Sequence, residues 1–166
     1  RNTQAIAQTC GDIIDRKIVT KSGTPFGIET EIVTIKEEQQ VITHLNNWVK
    51  SWIKHEGIKP SQIAILSPFK KTNSSIVGRQ HFSSISITED PNEWKKNKGI
   101  LFSTIRSFKG LESDIVVLID IVEPGSIDIF SHSDLYVASS RAKHVLKILT
   151  TTTEFSLFKS SGVADE

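Results

Sequence analysis

The sequence predicts an α/β fold with a mostly parallel sheet buried on both faces. Three observations lead there. Ile63-Ala-Ile-Leu66 is a short, continuous apolar run, as a strand covered on both sides requires. Ile115–Ile121 is rich in β-branched residues and reads as a central strand. Between and around such runs lie segments with helical spacing, and that alternation is the pattern of an α/β sheet. In sheets of this kind ligands bind at the carboxyl ends of the strands.

The elements follow in order. Residues 3–16 place Ile6, Ala7, Cys10, Ile13 and Ile14 at helical spacing, with Asn2 or Thr3 as N-cap. Residues 21–27 contain Ser-Gly-Thr-Pro and read as a loop. Glu29–Ile35 alternates in part, as a short strand does. Residues 37–55 form the strongest helix, because Val41, Leu45, Trp48 and Trp52 recur on one face until Gly57 and Pro60 end it. Pro68 closes the strand that begins at Ile63. Residues 72–80 read as a polar helix, 84–87 as a strand, and 91–98 as a charged loop. Gly99–Thr104 is a strand, Ser133–Lys143 a helix with Leu135, Val137 and Ala138 inward, and Val145–Leu149 the last strand. One domain is expected over residues 1–153, followed by a weakly ordered tail over 154–166.

Composition narrows the classes. Apolar content of 37% and charged content of 23% describe a globular chain, not a disordered one. A net charge of +1 means that any basic surface must be local. A single cysteine excludes an internal disulfide and a four-cysteine zinc site, and Cys10 belongs to the core. No segment approaches the ~20 apolar residues of a membrane span. No signal peptide is evident, and a cytoplasmic setting is expected. The chain opens on Arg1 and reads as a piece of a longer one. His44 and His55 are too far apart along the helix to share an ion, and the other histidines show no metal spacing.

There is no G-x-x-x-x-G-K-[ST] loop, so the chain lacks its own phosphate cradle. Asp120 ends an apolar strand as a metal-holding acid would. Without that loop, an Asp that caps a turn is the better reading. Two segments carry polar chemistry. Residues 102–112, FSTIRSFKGLE, set a hydroxyl, a lysine, a glycine and a carboxylate close together. Gly110 would let the backbone approach a ligand, and Lys109 could meet a phosphate. Residues 135–143, LYVASSRAK, end a helix with Arg141, whose planar fork suits a phosphate. The residues alone leave two readings open for each, a solvated surface or a ligand-side group.

Taken together, TIRSFKGLESDIVVL and DLYVASSRAKHVLKIL resemble motifs V and VI of the UvrD/Rep type of superfamily 1 DNA helicases. RNTQAIAQ resembles part of motif IV, and IAILSPFKKTNSSI resembles the strand and helix that follow it. The resemblance runs from residue 1 to about 150 in the family's order. It implies the C-terminal, second RecA-like domain of such a motor, a three-layer sandwich. ATP with Mg²⁺ would be shared with an N-terminal RecA-like domain that holds most of the metal, and single-stranded DNA would cross both domains. Arg141 and Arg1 would be catalytic and would bind ATP at its γ-phosphate. Gly110 and Glu112 would also bind ATP, with Glu112 near the ribose. Thr104, Arg106 and Ser107 would face the DNA. Arg106 stands where the family often has His, and Pro68 where it often has Arg. The segment between Gln80 and Gly99 is short where many members insert a subdomain. Two other readings stay open: a non-catalytic nucleic-acid-binding or interaction module on this fold, and an RNA helicase of the neighbouring branch, whose strand end resembles Ser67-Pro68-Phe69.

Overall fold

A computed structural model describes residues 2–159. Its elements are α1 (Gln4–Ile14), β1 (Glu31–Thr34), α2 (Glu38–Lys50), β2 (Ile63–Ser67), β3 (His81–Phe82), β4 (Ile85–Thr88), α3 (Pro91–Lys95), β5 (Ile100–Thr104), β6 (Ser113–Ile121), α4 (His132–Ser140), β7 (Ala142–Thr150) and α5 (Glu154–Leu157). One sheet holds seven strands in the order β1-β7-β6-β2-β5-β4-β3. The pairings between strands are parallel except β3 with β4, a hairpin that turns through Ser83 and Ser84, both at positive φ.

Alternation along the central strands makes two cores. Ala64, Leu66, Val116, Leu118, Leu146 and Ile148 join one core with Ile6, Leu135 and Leu157 of α1, α4 and α5. Ile63, Ile65, Ile115, Val117, Val145 and Leu149 join the other with Val41, Leu45 and Val49 of α2. The result is the helix–sheet–helix sandwich that buried parallel strands require.

Local chemistry explains the helix ends. The Thr3 hydroxyl accepts the Ile6 N–H at 3.4 Å to start α1, and Asp15 ends it in the left-handed region at φ 54°. Gln40 reaches back to accept the Glu37 N–H at 3.0 Å, so α2 begins where the helical spacing begins. The helix then runs on through a π-helical turn, Ser51–His55. Cys10 lies in the α1 stripe without solvent contact, and burial pushes its thiol up to about 12. The thiol is therefore protonated at neutral pH. A thiol reagent should leave the folded chain unlabelled and label it fully in denaturant. Rapid labelling under native conditions would show that α1 opens readily.

Four expectations change. Residues 72–80 are not a helix but a 3₁₀ turn, Lys71–Asn73, followed by irregular turns. The Ser74 hydroxyl donates to the Lys71 carbonyl at 2.8 Å and accepts the Ile76 N–H at 3.3 Å, so it competes with helical bonding. The charged loop at 91–98 contains α3, because the Asp90 carboxylate accepts the Asn92 N–H at 2.8 Å and Pro91 opens the turn. Trp94 anchors that helix in the core, its indole N–H donating to the Ile63 carbonyl at 3.0 Å. The last helix stops at Ser140, and β7 starts at Ala142, because the Ser113 N–H already donates to the Arg141 carbonyl at 3.0 Å. Finally, residues 154–157 are not a loose tail: they form α5, whose Leu157 is fully buried. Residues 160–166 lie outside the described residues.

Candidate functional site

The segment between β5 and β6 positions most of the expected site residues. The two strands are parallel and β2 lies between them, so residues 105–112 must carry the chain across β2 from the carboxyl edge of the sheet back to its amino edge. This crossover is not a regular helix. It is a series of turns, with the Phe108 N–H donating to the Thr104 carbonyl at 3.1 Å and the Leu111 N–H to the Phe108 carbonyl at 3.0 Å. Ile105, Phe108 and Leu111 recur every third residue and pack on the core. Arg106, Ser107, Lys109, Gly110 and Glu112 are left facing solvent. The polar cluster is thus the outer face of an anchored strap.

The strap has two ends with different surroundings. At the carboxyl edge, the Thr104 hydroxyl accepts the Ser107 N–H at 3.1 Å and donates to the Ser107 oxygen at 2.9 Å. That bond occupies a lone pair of Ser107 and leaves its hydroxyl hydrogen for an outside acceptor. Arg106 is exposed beside Pro68 and Ile129. At the amino edge, Gly110 holds φ +87°, and the space where a Cβ would stand is open. Glu112 is exposed there and pairs with Lys143 Nζ at 3.5 Å. Asp114 accepts from Gln62 Nε2 at 2.9 Å and lies 3.7 Å from His144 Nε2.

Arg141 stands at the same amino edge. The capping box between Ser131 and Asp134 starts α4, Leu135 and Ala138 bury its inner face, and Arg141 is its C-cap. The Asn2 amide donates to the Ser140 carbonyl at 2.8 Å and to the Ala142 carbonyl at 2.5 Å, so it clasps the backbone on either side of Arg141. The guanidinium makes no ion pair among the described residues, and its Nε is buried without an acceptor. A cation at a helix C-terminus is favourable, yet a buried unpaired donor is costly. Arg141 therefore brings positive charge to this edge, where the Gly110 end of the strap, with its open space, also lies. Arg1, expected beside it, lies outside the described residues.

The expected residues divide between the two edges of the sheet: the backbone bond from the Ser113 N–H to the Arg141 carbonyl sets Glu112 and Arg141 at the same, amino edge. Thr104, Arg106 and Ser107 are at the opposite edge. Asp120 takes the turn-capping part, accepting from the Ser67 hydroxyl at 2.9 Å and from the Ser75 N–H at 3.2 Å. The sequence offered Asn2 only as a helix cap and did not single out Lys143; Asn2 adjoins Arg1 and Lys143 follows Arg141 by two residues, and that proximity was the available signal. A larger recess, about 570 Å³, runs along α1 past Gln8, Asp12 and Arg16, and none of the expected residues lines it.

No family model and no curated protein matches the chain. Among solved structures, it is similar to the C-terminal domain of a possible DNA helicase from Lactobacillus plantarum WCFS1. The TM-score is 0.58 at 16% identity, over 100% of this chain and 94% of that one. The fold is RecA-like. The structure of the PRRSV helicase also aligns, at TM-score 0.45 and 14% identity, over 93% of this chain and 22% of that one. The RecA-like sandwich accounts for the parallel sheet and both helical layers. No described helix is long and apolar enough to cross a membrane.

Proposed function

We propose that the chain is the C-terminal RecA-like domain of an ATP-dependent DNA helicase or translocase of the UvrD/Rep type. The observation that carries this reading is the strap: one short crossover sends Thr104–Ser107 to one edge of the sheet and Gly110–Glu112 to the other, where Arg141 stands. A motor needs both a nucleotide wall and a strand wall on this domain. In this reading the strap joins the two through a few residues. The likeness to a domain from a possible DNA helicase is in keeping with it.

In this reading Arg141, with Arg1, meets the γ-phosphate of ATP held with Mg²⁺ by an N-terminal RecA-like domain. The nucleotide supplies the phosphoryl group, and this chain supplies positive charge and a closing surface. Gly110 lets the backbone come close, and Glu112 accepts from a sugar hydroxyl once it exchanges Lys143 for that partner. Thr104, Arg106 and Ser107 hold the phosphate backbone of single-stranded DNA. Domain closure on ATP and release after hydrolysis then shift the strand grip.

The test is turnover. A protein joining this chain to a phosphate-loop domain should hydrolyse ATP faster with single-stranded DNA present, whereas the 166-residue chain alone should show none. Turnover by the chain alone would remove the half-site reading. Two-domain protein that ignores DNA but responds to RNA would favour the neighbouring RNA branch. No nucleic-acid response at all would favour a non-catalytic module.

A further inference from the structure

The sheet has two outer strands, and they end it differently. At one margin β3 is two residues long and turns at once through Ser83 and Ser84 into β4. At the other, β1 pairs with β7 on one side, and no described strand covers its other side. The Ile35 N–H donates to the Thr150 carbonyl at 2.7 Å, so the odd residues of this segment face β7. By alternation, the backbone N–H and C=O groups of Ile32 and Thr34 point outward. We propose that this edge binds the same edge of a second copy of the chain, antiparallel, so that two sheets continue into one across a two-fold axis at Ile32.

Solitary edge strands are commonly blunted by an unpaired charge, a proline or a bulge. Strand β1 has none of these. Its sequence is Glu-Ile-Val-Thr, its register with β7 is unbroken, and its one charge, Glu31, is neutralised by Lys147 Nζ at 2.6 Å. The surroundings are apolar. Of the six large apolar side chains exposed among the described residues, three lie around this strand. Phe26, 46% exposed, and Ile28, 57% exposed, are on the segment that leads into it, and Phe155, 63% exposed, is on α5, which packs against it. Phe26 also shares with Ile32 and Phe158 a recess of about 190 Å³ beside the strand. Apolar surface gathered at an open edge marks a contact with another chain.

The residues of the strand select a second copy as the partner. A two-fold contact sets one patch against itself. Opposed residues of an antiparallel pair share a face of the sheet, so symmetry opposes odd residues to odd and even to even. An axis at Glu31 would set two carboxylates in contact, and an axis at Thr34 would set Glu31 against Glu37. An axis at Val33 would oppose Thr34 to Ile32 and match neither side chain. An axis at Ile32 opposes Ile32 to itself and Thr30 to Thr34, and both pairs are of kinds that cross-strand packing favours. Those are also the residues whose backbone groups point outward. Ile32 faces the α1 and α5 side, so the two isoleucines meet beside the Phe26 recess of each copy. The two Glu29 carboxylates, three residues from the axis on each copy, stay roughly 20 Å apart along the strands.

Sedimentation velocity of the 166-residue chain across a concentration series tests this. The chain should pass from monomer to dimer. Thr34→Pro removes an outward donor and leaves the bonds to β7, so the dimer should be lost and the thermal melt kept. Under mild oxidation Ile32→Cys should link two copies, because Cα atoms opposed at the axis lie about 5.5 Å apart, within disulfide reach. Thr34→Cys should not, since its two copies stand roughly 14 Å apart along the strands. Cys10 is buried and does not compete. A chain that stays monomeric throughout the series would overturn the proposal. So would a dimer that Thr34→Pro leaves intact, which would lie on another surface, or one that links through Thr34→Cys and not through Ile32→Cys. If Thr34→Pro lowers the melt, the two cysteine variants decide.

Discussion

Arg141→Glu, placed in a protein that joins this chain to a phosphate-loop domain, should abolish ATP hydrolysis and leave the fold intact. The expected loss is about 10³-fold or more, the scale on which an arginine at the γ-phosphate acts in related hydrolases. The fold should survive because the side chain forms no ion pair among the described residues and its buried Nε has no acceptor to lose. The structural work at this position is done by the backbone, through the Ser113 N–H and the Asn2 clasp. The cost of a negative charge at the end of α4 is about 1 kcal/mol or less. Arg141→Lys keeps the charge but loses the planar fork, so it should retain part of the rate. The measurement is steady-state turnover beside a thermal melt. Normal hydrolysis in Arg141→Glu would remove this residue from the nucleotide site.

Phe108→Ala should cost about 3–5 kcal/mol of folding stability, read from urea denaturation. Phe108 is 1% exposed, and its ring centroid lies 6.0 Å from that of Trp94 in a tilted contact. It is the middle anchor of the strap, between Ile105 and Leu111. A typical domain has only about 5–15 kcal/mol in total, so this single truncation removes a large share. Trp94 fluorescence should change with it. Phe108→Leu refills most of the space and should lose much less. A loss below about 1 kcal/mol in the alanine variant would mean that the strap is held by its turns and not by its inward side chains.

These effects show which parts of the molecule the sequence exposed. The strands β2 and β6 were legible because a strand buried on both faces has no polar face to interrupt it. Helix α2 was legible from its apolar spacing. Helix α3 was not, because its signal is one buried tryptophan among charges and a cap that becomes visible only with its geometry. Residues 72–80 misled because serine and asparagine bond locally in ways that residue spacing does not show. For the site, FSTIRSFKGLE and LYVASSRAK pointed to two polar segments, but strand order decides which edge each residue reaches. The pairing of β2 with β5 brings Lys70 beside Thr104, and nothing in the linear spacing of residues 70 and 104 announces it.

The strap's three-residue repeat also governs how this chain can change over evolutionary time. Substitution on its outer face leaves Ile105, Phe108 and Leu111 in place. One added residue would rotate the repeat, bury a polar group and turn an anchor outward. Segment length here is therefore as constrained as residue identity. The hairpin tip at Ser83–Ser84 is held in another way, by two positive-φ residues in its turn and by the Ser83 N–H, which donates to Asn46 Oδ1 of α2 at 3.0 Å. In the stretch between residues 105 and 111 it is the count of residues that keeps the three anchors inward.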